Sequence, residues 1–276
     1  MRIQIEHTTE YHYDAPIRSA VQVLRLTPRP NASQHIVRWR VEADGEVRLR
    51  SCDDAYGNLT HWLEVEGPLD ALRIHVSGEV ETSDTGGILR GAVERAPVLT
   101  YLRETSLTAA DTAMRAYCDD IVRARCEPLD QLHELLTALH RDIAFDTTVT
   151  DAETTAMAAF AHRHGVCQDI AHIFIGMSRW LNIPARYVSG HLLRRDGVVE
   201  QEAAHGWAEA YVQGLGWVGF DPANGCCPTE AYLRVATGPD YLAAAPVRGA
   251  RVGGGSERLS VELHVSSPLR QQRAQQ

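Results

Sequence analysis

The feature that most constrains this fold is a change of hydrophobic periodicity partway along the 276-residue chain. Within residues 1–82, apolar side chains alternate in short runs, as at Ile3 and Ile5, and turn signals such as Asp44-Gly45 separate the runs. Alternation with a period of two is typical of half-buried β-strands. From about residue 108 onwards, apolar residues instead recur at three- and four-residue steps. The sequence therefore predicts an all-β segment followed by a segment that begins with helices.

The second segment contains several helical patterns and then several strands. Residues 108–126 form an Ala-rich helical segment, and Pro128 opens a second helix, because proline is favoured at the first helical position. A later helix begins after Gly165 and ends before Pro184. Strand-like runs follow at 185–193, 204–212 and 217–221, whereas residues 226–255 are rich in Gly, Pro and Ala and are predicted to be irregular. Helices that precede strands favour an α+β fold over a doubly wound sheet.

Charge and composition argue against several classes of partner. Lys plus Arg total 27 and Asp plus Glu total 36, so the net charge is -9. This acidic balance argues against nucleic acid and anionic membranes as partners. No apolar run approaches the length of a membrane span. The sequence starts MRIQIEHTTEYHYD, without an apolar leader, so we expect a cytoplasmic protein whose six cysteines are mostly free thiols.

Cys167 is the first residue with a chemical interpretation. It is predicted to lie in the first turn of a helix, where backbone N–H groups and the helix dipole favour a thiolate. The same N–H groups can bind a developing oxyanion. By position alone, Cys167 fits equally well as a small apolar core residue.

His205 and Asp221 lie on two consecutive predicted strands, and the turn between them decides whether they meet. A two-residue loop at Gly214-Leu215 would point them to opposite faces. A three-residue loop at 212–214 would pair Tyr211 with Leu215 and place His205 directly opposite Asp221. A thiol, an imidazole and an orienting carboxylate are the groups that nucleophilic acyl transfer needs. The three residues together favour a catalytic triad, although His205 alone fits a structural histidine.

The segments GVCQDIA, AHGWAEAYV and GWVGFDPANG resemble the transglutaminase-like superfamily of cysteine enzymes. The strand-rich first half and its DAYGN turn at 54–58 resemble the N-terminal β domain of the family's bacterial branch. This resemblance implies a nucleophile at Cys167, a general base at His205 and an orienting carboxylate at Asp221. It also implies a papain-like α+β core, in which the cysteine helix packs on an antiparallel sheet.

The linker-like residues 82–87 divide the chain into domains, and the sequence departs from the family pattern at two places. Residues 1–85 are predicted to form a β-sandwich-like domain, residues 86–268 the catalytic domain, and residues 269–276 a disordered tail. Gly206 follows the histidine where the family usually has alanine, which we expect to be harmless. The segment GPDYLAAAPVRG lacks two charged residues associated with the family, which puts a substrate contact there in doubt.

The predicted function is cysteine-dependent hydrolysis of a peptide or amide through a thioester, as in a cysteine protease or amidase. Transfer of the acyl group to an amine, as in a transglutaminase, and a non-catalytic binding module remain alternatives. No cofactor and no metal are expected. A zinc site from His162, His164, Cys167 and His172 lacks standard ligand spacing. Gln168 is a weak candidate for an oxyanion donor, and the oligomeric state stays open.

Overall fold

The structure is a computed structural model that describes residues 1–45, 47–147 and 152–267; the predicted tail at 269–276 lies outside them. The helices are α1 (Thr112–Val122), α2 (Pro128–Asp142), α3 (Ala156–His162), α4 (Cys167–Trp180) and α5 (Tyr241–Ala244). The strands are β1 (Arg2–Thr27), β2 (Gln34–Ala43), β3 (Val47–Asp53), β4 (Leu59–Thr82), β5 (Ala144–Phe145), β6 (His164–Gly165), β7 (Ala185–Leu192), β8 (Glu200–Gln201), β9 (His205–Val212), β10 (Gly216–Phe220), β11 (Tyr232–Gly238), β12 (Val247–Gly253) and β13 (Glu257–Ser266). Among the described helices, none is both long and apolar enough to cross a bilayer.

A seven-stranded sheet contains most of the first segment, in the order β2-β4-β1-β13-β8, with β12 paired to β1 and β3 to β4. The short runs predicted near the N-terminus join into two long strands, β1 and β4. Their mutual register shifts between His12 and Ile17, so the pairing of the two strands is interrupted there by an irregularity. We refer to these seven strands as the first sheet.

The first sheet also contains strands from the C-terminal part of the chain. β12 and β13 both pair antiparallel with β1, over residues 247–253 and 257–266. The prediction that 226–255 is irregular is therefore wrong, because main-chain pairing orders β11 and β12 despite their Gly, Pro and Ala content. The division at residue 85 into separate domains stays a prediction, but strands from beyond it complete the first sheet.

The second sheet has the order β10-β9-β7-β11 and is antiparallel throughout. Helix α4 packs against it, and the helix is buried along nearly its whole length, which is typical of a central helix. Gly176 allows this, since a Cβ there would lie 2.4 Å from the Thr108 carbonyl oxygen. The α+β fold with a cysteine-bearing helix on an antiparallel sheet is thus confirmed.

Two side-chain amides join the first sheet to β11. Gln34 donates to the Arg234 carbonyl (2.8 Å) and accepts from the Arg234 N–H (2.9 Å). Asn58, from the predicted DAYGN turn, makes the same pair of bonds with Thr237, at 2.7 and 2.8 Å. Each amide satisfies one N–H and one C=O of the β11 main chain, which would otherwise be left without partners.

Replacement of Asn58 by alanine tests this connection. The variant leaves the buried Thr237 N–H and C=O unsatisfied, so the free energy of unfolding should fall by about 2 kcal/mol. Urea unfolding would measure the change. Gln213→Ala, at an exposed position, is the matched control and should stay within about 0.5 kcal/mol of wild type. An equally small effect at Asn58 would contradict the structural role of its amide.

Candidate active site

Cys167 is the first residue of α4 and lies at the partly exposed end of an otherwise buried helix. The helix begins here because Asp169, in its first turn, accepts a hydrogen bond from the Val166 N–H (2.9 Å). The N–H groups of the first turn have no partners inside the helix. The sulfur of Cys167 therefore sits where the backbone offers free donors and the positive end of the helix dipole.

His205 and Asp221 lie together at the end of the second sheet. His205 opens β9 and Asp221 follows β10, and the distance from His205 Nε2 to Asp221 Oδ2 is 2.6 Å. The Asp221 side chain is fully buried, while 12% of the His205 side chain is exposed. The carboxylate thus holds the inner nitrogen of a ring whose other side reaches the surface.

Cys167 lies near enough to the same imidazole to act on its charge. Burial disfavours the imidazolium, but the interactions of the ring with Cys167 and Asp221 outweigh burial and raise the pKa of His205 to about 10. For Asp221, burial is likewise outweighed by its hydrogen-bond donors, chiefly His205, and its pKa is lowered. The neighbours of the imidazole therefore favour its charged form.

The hairpin that brings His205 and Asp221 together has a different register from the one predicted. Val212 pairs with Gly216 and Tyr211 with Trp217, so the loop consists of residues 213–215. This register differs by two residues from the predicted one, and His205 lies diagonal to Asp221 instead of opposite. A shift of two residues keeps every side chain on its own face, so the two groups still meet.

Two residues that the sequence analysis missed also donate to Asp221. Asn224 Nδ2 donates to Oδ2 (2.7 Å), and the Asn224 N–H donates to Oδ1 (3.2 Å). The Tyr232 hydroxyl donates to Oδ2 at 2.8 Å. The DPAN sequence carries a signal for Asn224, since an aspartate often accepts from backbone N–H groups shortly after it. Nothing in the sequence near Asp221 indicates Tyr232 as a donor, because Tyr232 lies on a later strand, β11.

The sequence that forms this site matches a known protein family. Residues 115–222 match the description "Transglutaminase-like superfamily", and residues 3–81 match "Bacterial transglutaminase-like N-terminal region". The chain belongs to the transglutaminase-like superfamily. The first match spans Cys167, His205 and Asp221, and the second covers most of β1 and β4.

Several proteins resemble this superfamily member over nearly its full length. A crystal structure of a "Putative Cysteine Protease" from Cytophaga hutchinsonii superposes with a TM-score of 0.78 at 18% identity, covering 97% of this chain and 91% of that one. An uncharacterized protein of Mycobacterium leprae is 28% identical, over 96% of this chain and 98% of its own length. One from Mycobacterium tuberculosis is 27% identical, over 90% and 87%. The structural likeness establishes the fold.

The glycine that departs from the usual superfamily pattern makes room for a tyrosine. A Cβ at Gly206 would lie 1.9 Å from the Tyr187 hydroxyl oxygen. Tyr187 is almost completely buried on β7, and its hydroxyl lies near enough to Cys167 for the sulfur's negative charge to add to burial in raising the Tyr187 pKa. An alanine at 206 would therefore require this ring to move.

The residues considered for other roles lie around α4. Gln168 Nε2 donates to the Ala152 carbonyl (3.4 Å), and its role as an oxyanion donor stays a prediction. The rings of His162 and His164 stack at 5.5 Å. Buried His172 accepts the Tyr241 N–H (3.0 Å), which fixes the start of α5 within the segment GPDYLAAAPVRG. Within 1–45, 47–147 and 152–267, no three His, Cys, Asp or Glu residues are grouped as metal ligands would be.

An NMR titration of His205 tests the charge pairing. In wild type the ring should stay protonated until the pH rises towards about 10. In Cys167→Ala the favourable negative charge is gone while the burial remains, so the pKa of His205 should fall. Cys126→Ala removes an exposed cysteine and should leave the titration unchanged. An identical titration in both variants would show that the sulfur carries no charge beside the ring.

Proposed function

We propose that this protein is a cysteine-dependent acyl-transfer enzyme that hydrolyses peptide or amide bonds. The observation that carries the proposal is the contact of His205 Nε2 with Asp221 Oδ2 at 2.6 Å, in a ring whose pKa the nearby Cys167 also raises. A thiol is activated for attack on a carbonyl when a base lies beside it and a carboxylate orients that base.

In the first half of the proposed reaction, the Cys167 sulfur attacks the carbonyl carbon. His205 holds the proton that the thiol has given up. The carbonyl oxygen becomes an oxyanion, and the free N–H groups at the start of α4 stabilise it. The C–N bond then breaks, and His205 passes its proton to the leaving amine. The product is a thioester on Cys167.

In the second half, His205 takes a proton from water, and the resulting hydroxide attacks the thioester carbon. The C–S bond breaks, the carboxylic acid leaves, and the proton returns to the Cys167–His205 pair. Asp221 keeps Nε2 of the ring protonated and fixes its orientation throughout. Water serves as the second nucleophile in this scheme. An amine in its place would give amide transfer, the alternative that the family name leaves open.

We place this reaction in the cytoplasm, on a peptide or protein substrate, without a cofactor. The six cysteines support a reducing compartment. Several of them are partly or fully exposed, and all six are free thiols in the fold. The net charge of -9 supports a substrate that is not a nucleic acid.

Alkylation of Cys167 tests the proposed nucleophile. At pH 6 an ordinary thiol is almost entirely protonated and reacts slowly, whereas a thiolate paired with His205 should react with iodoacetamide about 100-fold faster. His205→Ala should abolish this advantage, with the modified residue located by mass spectrometry. His133→Ala, on α2, is the control and should react like wild type. Wild-type labelling no faster than that of exposed Cys126 would favour a binding module.

A product profile tests the reaction class. Peptides and simple amides are incubated with wild type and with Cys167→Ala, with and without an added primary amine, and analysed by mass spectrometry. Hydrolysis predicts free acids that form only with wild type, even when the amine is present. Products that incorporate the amine would instead identify a transferase.

A further inference from the structure

Tyr232 occupies an unusual place between the candidate active site and the first sheet. It is the first residue of β11, and its hydroxyl donates to Asp221 Oδ2 at 2.8 Å. The same oxygen accepts from His205 and from Asn224. Burial strongly raises the pKa of Tyr232, so its hydroxyl keeps its proton and can act as a donor to the carboxylate.

The ring of Tyr232 lies in an apolar cluster that contains residues of both sheets. The first sheet contributes residues of β1, β4 and β13 to this cluster, among them Ile3, Val80 and Val265. The Thr82 hydroxyl, at the end of β4, donates to the Glu230 carbonyl two residues before Tyr232 (2.5 Å). Gln34 then fixes the main chain of β11 two residues after it. Tyr232 is therefore fixed on both sides by groups outside the second sheet.

Tyr232 also restricts the imidazole directly. Its ring centroid lies 5.9 Å from that of His205 and 5.4 Å from that of Trp207, whose own ring stacks on His205 at 6.0 Å. Asp221 is fully buried, so water has no ready access to replace a lost donor at its carboxylate. Removal of the hydroxyl would thus leave the Asp221 carboxylate with one donor fewer and loosen its orientation, and that of His205 with it.

We propose that Tyr232 is a positioning residue through which the first sheet sets the orientation of Asp221 and His205. The proposal rests on the proposed function, since it assigns Tyr232 a part in activating Cys167. It also gives the first sheet a role in the reaction: the sheet holds the donor that aligns the carboxylate.

Tyr232→Phe in the full chain is the decisive variant. We expect kcat to fall about 10- to 100-fold with little change in KM, because a small misalignment affects the chemical step more than binding. The acid limb of the pH profile for Cys167 alkylation should move to higher pH, since the Asp221 carboxylate has lost a donor. The NMR signal of the His205 ring proton that faces Asp221 should also shift or broaden.

Two further variants separate positioning from a general structural effect. Tyr211→Phe makes the same chemical change on β9, where the ring packs against Trp217, and should leave kcat, the pH profile and the His205 signal unchanged. Thr82→Val removes the hydrogen bond to Glu230 from a residue far from the sulfur. It should show the Tyr232→Phe pattern with a smaller amplitude.

The proposal is overturned if folded Tyr232→Phe, with a wild-type unfolding midpoint, keeps the wild-type kcat, pH profile and His205 signal. Failure of the proposed function looks different. In that case, wild-type Cys167 would react like an exposed thiol whether or not His205 is present. The NMR comparison of wild type, Tyr232→Phe and Tyr211→Phe needs no substrate and would still decide whether Tyr232 aligns the pair.

Discussion

The buried carboxylate of Asp221 is the group on which the rest of the site depends. A carboxylate without access to water is costly unless hydrogen bonds compensate the lost hydration. Here the compensation comes from three different parts of the chain: His205 on β9, Asn224 in the loop after β10, and Tyr232 on β11. The fold must bring all three together before the charge is tolerable, so the site and the second sheet are stabilised by the same bonds.

Much of the architecture could be predicted because local sequence encodes it. The helix predicted from Pro128 runs over Pro128–Asp142, and Cys167 begins the central helix as expected. The hydrophobic period and the helix-start signals depend on only a few neighbouring residues. For these two helices, the tertiary structure agrees with the local signals. The contact between His205 and Asp221 could be predicted for a related reason, since a hairpin needs only the correct parity to keep two residues on one face.

Features that depend on distant parts of the chain could not be predicted in this way. Leu259, Val261, Leu263 and Val265 alternate as strand residues do, but nothing in this run identifies β1 as its partner. Tyr232 escaped notice because its target is 11 residues away and reached only through the path of β11. The register error in the β9–β10 hairpin has a similar origin, since a glycine-rich turn permits several loops and the packing of the sheet selects one.

The pairing of β13 with β1 has a consequence for biosynthesis. A growing polypeptide leaves the ribosome from its N-terminus, so β1 waits, with one edge unpaired, until residues 257–266 emerge. The second sheet and its cysteine helix are synthesised before that moment, yet the first sheet, which supports β11, is completed only after residues 257–266 have emerged. A chain that stops before residue 257 would contain Cys167 without a complete first sheet.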